Sequence, residues 1–72
     1  MRLTVIPQDR SITKDNLCKQ FSEWPFADSH IHAIQWFDGT GEIEYAGKPP
    51  TEEVITEQAV IQPYVSLFEQ AS

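Results

Sequence analysis

The sequence predicts a small α+β domain, an antiparallel β-sheet covered by one C-terminal helix. Three observations carry that reading. Ile31–Tyr45 holds two strand-like runs joined by Asp38-Gly39-Thr40-Gly41, Arg2–Ile6 is a β-branched run, and apolar residues recur at helical spacing near the end. The 72 residues form a single domain, 1–72, of a size at which one core yields only a few kcal/mol of net stability. An apolar content of 40%, with two Trp, four Phe and two Tyr, is enough for that core and argues against a disordered chain.

Arg2–Ile6 (RLTVI) sets Leu3 and Val5 on one strand face, and Pro7 ends the run. In Ser11–Phe21, Lys14-Asp15-Asn16 fits either a turn between two short strands or one helical turn begun at Asp15; the hairpin is the preferred reading. Ser22–Ser29 contains Pro25 and cap-type residues, which predicts a loop with Trp24 and Phe26 folded back on the core.

The strongest element is the 31–45 hairpin. With Asp38–Gly41 as its loop, Phe37 faces Glu42, Trp36 faces Ile43, Gln35 faces Glu44 and Ile34 faces Tyr45. Alternation then puts His32, Ile34, Trp36, Ile43 and Tyr45 on the core side. The opposite face carries Ile31, Ala33, Gln35 and Phe37 beside Glu42 and Glu44, which reads as half-solvated. Next, Lys48-Pro49-Pro50-Thr51 breaks the sheet, and Thr51 with Glu52 and Glu53 resembles a helix start. Ile61, Tyr64, Val65 and Phe68 form an amphipathic stripe on a final helix whose start the sequence leaves open. Pro63 fits the first turn of a helix over 63–71, and a longer helix from Glu57 would kink there.

Charge is divided along the chain. Residues 1–20 carry Arg2, Arg10, Lys14 and Lys19 against Asp9 and Asp15, whereas residues 21–72 carry nine carboxylates against Lys48 alone. The total of −6 argues against nucleic-acid binding, which needs clustered Lys and Arg to neutralise phosphates. The division suits a solvated acidic surface first, and head-to-tail contact between copies or a basic partner second. No apolar run approaches the roughly 20 residues that span a bilayer. The opening MRLTVIPQDR has too short an apolar segment for a signal peptide, so the expectation is a soluble chain made in the cytoplasm, without membrane contact.

Candidate chemistry is sparse. Asp28-x-His30-x-His32 has the alternation of a metal-binding strand end, as in amidohydrolases. Those enzymes need a (β/α)8 barrel to bring further ligands, however, and here, with no other histidine, Asp28, Glu23 or Glu44 could complete a set only by chance. The simpler reading makes His32 a core-face residue with a backbone partner and leaves His30 near the strand's edge. Cys18 excludes an internal disulfide framework and reads as a small buried apolar residue. Glu42 and Glu44 alternate on one face as paired carboxylates do, yet without a cleft they read as solvated. Gly39-Thr40-Gly41 is a turn, not a phosphate cradle. Trp24, Trp36 and Tyr45 read as core before they read as a stacking platform. The residues therefore predict no enzyme, no catalytic, metal or cofactor-binding residue, and no cofactor.

The strand His30-Ile31-His32-Ala33-Ile34-Gln35-Trp36, then Gly39, then Gly41-Glu42-Ile43-Glu44-Tyr45, resembles a motif of small proteins encoded by tailed bacteriophages and prophages among tail and tail-fibre genes. The opening Met1–Pro7 is similar to the start of such proteins, and the resemblance spans about residues 1–45. Those proteins often have a glycine turn after the first proline, where this chain has Lys14-Asp15-Asn16. The resemblance implies a virion structural or adaptor protein of the tail, baseplate or tail fibre. It would be made in the host cytoplasm, be present in many copies and bind other tail or fibre proteins. A second expectation is a non-virion phage protein, either a tail-fibre assembly chaperone or an acidic host-takeover inhibitor.

Overall fold

The structure, a computed structural model, describes residues 1–71. It is the expected α+β arrangement with a larger sheet than the sequence predicts. The strands are β1 (Arg2–Ile6), β2 (Ser11–Lys14), β3 (Leu17–Gln20), β4 (Ile31–Phe37), β5 (Thr40–Tyr45) and β6 (Thr51–Ile55). Single 3-10 turns occupy Pro7–Asp9 and Gln58–Val60, and helix α1 spans Gln62–Gln70. The strands lie in the order β3-β2-β1-β4-β5-β6, every neighbouring pair antiparallel.

Strand alternation explains which face is covered. Leu3 and Val5 share a face with Ile12 of β2 and with Ile34 and Trp36 of β4, since Val5 pairs with both Ile12 and Ile34 and Leu3 with Trp36. Ile43 of β5 and Ile55 of β6 extend that face, and all of these side chains are buried. The helix lays Tyr64, Val65 and Phe68 on it, with Ile61 at its N-terminal boundary, so the apolar stripe serves as the sequence predicts. Pro63 falls in the first turn, where its missing N–H breaks no intrahelical bond. The loop before β4 folds Trp24 and Phe26 against the same core, also as expected.

Turn chemistry sets the two hairpins. Lys14 pairs with Leu17, so the preferred reading of residues 11–20 as two strands holds. Asp15 supplies the reversal without glycine by adopting φ 55°. Its backbone N–H and its carboxylate both bond to the backbone of Arg2, at 2.7 and 3.1 Å, which fixes the turn to β1. In the second hairpin the loop is Asp38-Gly39 alone, with φ of 49° and 88°, the sign pattern that a tight two-residue turn requires. Gly41 sits inward against β4, and a Cβ there would run into the backbone carbonyl of Gln35.

Four expectations need correction. The 31–45 register is two residues tighter than predicted: Phe37 faces Thr40, Trp36 faces Gly41, Gln35 faces Glu42 and Ile34 faces Ile43. A two-residue turn matches strand twist better than a four-residue loop, and an even shift keeps every side chain on its face. Second, a β-bulge at His32 lets Ile31 pair with Tyr45, turning Ile31 toward the core and leaving His32 exposed rather than on the core side. Third, Thr51–Ile55 is an edge strand, not a helix start: the sheet offers it the open side of β5, and Thr51, Glu53 and Ile55 take the covered face opposite Tyr45, Ile43 and Gly41, with Ile55 buried. Fourth, Cys18 is exposed, because β3 is the opposite edge and Cys18 lies on the uncovered face.

Candidate functional site

The structure separates the members of the Asp28–His32 run, burying Asp28 and leaving His30 and His32 exposed. Asp28 is the one buried charged side chain among the described residues, and both of its carboxylate oxygens are engaged. Trp24 Nε1 donates to Oδ1 at 2.9 Å and the Tyr64 hydroxyl to Oδ2 at 2.7 Å. Burial and the bond to Asp28 hold the Tyr64 phenol well above its ordinary pKa. Asp28 thus ties the loop before β4 to helix α1, inside an aromatic cluster of Phe21, Trp24, Phe26 and Tyr64. His30 lies just before β4, accepts the Ala46 N–H with its carbonyl at 2.9 Å, and stacks on Tyr45 with ring centroids 5.8 Å apart. His32 is exposed on the bulge, and Glu23 is exposed in the loop.

What the fold does assemble is a division of charge across one sheet. Because β1 lies between β2 and β4, residues 2–20 build one half (β3-β2-β1) and residues 31–55 the other (β4-β5-β6). The linear separation of charge therefore becomes lateral. In the first half the cations bind groups other than carboxylates. Lys19 Nζ donates to the carbonyls of Phe68 and Ala71 at 2.9 and 2.7 Å and lies 4.3 Å from the Phe68 ring centroid. Lys14 approaches the same ring, Arg2 covers the ring of its cross-strand neighbour Phe37 at 4.8 Å, and Arg10 donates to the Ser22 carbonyl.

The acidic half is left without that compensation. Glu42, Glu44 and Glu52 project from the uncovered face, with carboxylate oxygens within 4.8 Å of one another, and Glu44 directly faces Glu52 across β5 and β6. Glu53 turns to the covered face and accepts the Tyr45 hydroxyl at 2.6 Å, which raises the Tyr45 pKa. Among the described residues the only ion pair joins the N-terminal ammonium to Asp38, at 3.7 Å. The sequence marks Glu42 and Glu44 as a pair; Glu52 escapes that reading because its segment resembles a helix start. The signal for a strand was the Thr-x-x-Val-Ile frame around the two glutamates.

The uncovered face has a shallow depression of about 530 Å³ lined in part by Arg2, Thr4, Gln35, Phe37 and Glu42. Cys18 stands apart from it on β3. Trp36 is buried in the core, Trp24 is half-buried in the aromatic cluster, and Gly39 and Gly41 serve turn and packing. No helix among the described residues is long and apolar enough to cross a membrane. Among the described residues, one sheet face and the two edge strands, β3 and β6, carry no covering element. No protein-family model matches the chain, and neither a curated protein nor a solved structure is found to match it.

Proposed function

We propose that this chain is a structural or adaptor subunit of a bacteriophage tail, baseplate or tail fibre, acting through protein–protein contacts. It works in many copies within the virion tail after synthesis in the host cytoplasm, binding other tail or fibre proteins rather than nucleic acid or membrane. It is not an enzyme. The observation that carries the contact role is the charge-divided sheet, whose second face and both edges have no covering element among the described residues while its glutamates form no ion pair there. The bacteriophage setting rests on the sequence resemblance of residues 1–45. A core this small gains stability from any neighbour that binds only the folded form, which suits an assembly subunit. Mass spectrometry of purified particles tests the reading: the protein is expected at several copies per tail, and intact particles without it overturn the proposal.

The uncompensated glutamates of β5 and β6 favour a second reading, a non-virion phage protein such as a tail-fibre assembly chaperone or an acidic host-takeover inhibitor. In that case the protein is absent from particles, and affinity capture from infected cells recovers a tail-fibre protein or a basic host protein.

A further inference from the structure

We infer that copies of this chain join head to tail through their sheet edges, β3 of one copy against β6 of the next. The inference deepens the multi-copy part of the proposed function by naming the surface involved.

Strand topology permits the junction without turning a copy over. The six strands alternate in direction, so β3 and β6 run opposite ways. A second copy placed beside the first in the same orientation therefore presents β3 antiparallel to β6. Both covered faces stay on one side.

The backbone phase selects which residues meet. Phe21 N–H bonds to the Arg10 carbonyl, so the odd-numbered residues of β3 point to β2, and Cys18 and Gln20 turn their backbone groups outward. Ala46 N–H bonds to the His30 carbonyl, so the even-numbered residues of β5 point to β4 and its odd ones to β6. On β6 this leaves Glu52 and Val54 facing out. One antiparallel register matches these phases and the chemistry together: Cys18 opposite Val54 and Gln20 opposite Glu52, with Lys19 opposite Glu53 between them.

Face parity agrees. Cys18, Gln20, Glu52 and Val54 lie on the uncovered face, while Lys19 and Glu53 lie on the covered one, since Lys19 pairs with Ile12 and Glu53 with Ile43. The contact sets exposed Cys18 against Val54, which is 68% exposed, and an amide against a carboxylate. Lys19 uses two donors on helix carbonyls, leaving one of the three N–H bonds of its ammonium for Glu53. A symmetric β6–β6 junction is disfavoured, because it crowds Glu52 and Glu53 of one copy against those of the other, and a symmetric β3–β3 junction leaves those glutamates without Lys19. A head-to-tail contact of this kind builds open filaments or closed rings, according to the rotation between copies.

Sedimentation velocity over a range of concentration and cross-linking test the junction. The wild type is expected to sediment as concentration-dependent species larger than the 8.2 kDa chain, weakened by salt. Val54→Pro removes an outward N–H, so it keeps the far-UV circular dichroism of the fold and weakens association about tenfold or more. In Val54→Cys, mild oxidation yields a ladder of dimers, trimers and longer species, and peptide mapping finds Cys18 of one copy joined to the cysteine at position 54 of the next. A wild type that stays monomeric at every concentration overturns the inference, as do oxidised oligomers of Val54→Cys whose disulfides join only like positions, 18 to 18 and 54 to 54. Absence of the protein from particles removes the virion reading and leaves the edge junction standing, so the two fail separately.

Discussion

The two halves of the sheet use charge in opposite ways. In β3-β2-β1 the cations turn to neutral acceptors inside the molecule: Lys19 closes the C-terminal end of helix α1, and Arg2 lies over the ring of Phe37. In β4-β5-β6 strand carboxylates face one another, Glu44 opposite Glu52, and neither forms an ion pair among the described residues. Helix C-termini attract positive charge through their unpaired carbonyls, so the basic half gains stability from its own ions. Like charges directly across a strand pair cost stability, so the acidic half gives some up. One half thus uses its cations to fasten the helix, whereas the other holds like charges side by side.

Substitutions test this contrast in decreasing order of effect. Trp36→Ala strikes the strand that joins the halves and is expected to cost about 3–5 kcal/mol, enough to unfold so small a domain. A cooperative urea transition near the wild-type midpoint would contradict the burial of Trp36 against Leu3 and Ile34. Asp28→Ala leaves the Trp24 N–H and the Tyr64 hydroxyl without their acceptor, and about 2–3 kcal/mol of stability is expected to be lost in the same assay.

Tyr64 adds a pH signature to that knot. Its folded pKa is raised, so its contribution is fully present below about pH 10, where the unfolded phenol ionises, and is lost as pH rises further. The wild type is expected to lose stability above about pH 10 by up to roughly 1.4 kcal/mol per pH unit from this group, and Tyr64→Phe to show a shallower decline in denaturant midpoint.

The smallest effects carry opposite signs and bear directly on the comparison. Lys19→Met is expected to cost about 1–2 kcal/mol by leaving the Phe68 and Ala71 carbonyls without their charged donor. Glu52→Gln is expected to stabilise the chain by about 0.2–1 kcal/mol, an increment that shrinks in salt, because it removes a like charge opposite Glu44. A neutral Lys19→Met or a destabilising Glu52→Gln, read from denaturant midpoints, would break the contrast between the halves.

Local pattern determined much of this protein. The β-branched run at Arg2–Ile6, the reversals at Asp15 and at Asp38-Gly39, and the stripe from Ile61 to Phe68 are short-range signals, and the structure uses each as the residues dictate. The division of charge was equally plain in the sequence, as were the two glutamates of β5. The pairing of elements decided the rest. Thr51–Glu53 has the composition of a helix start and becomes a strand because β5 offers it an open row of backbone groups. His32 loses the core to Ile31 because one bulge rephases β4 at a stroke. Asp28 is bound by donors four and thirty-six residues away, so no window around it reveals its role. Hydrophobic alternation and turn chemistry act over a few residues and can be read in order along a chain. Edges, bulges and buried polar partners depend on which segments meet, and that is settled only when the whole sheet closes over its helix.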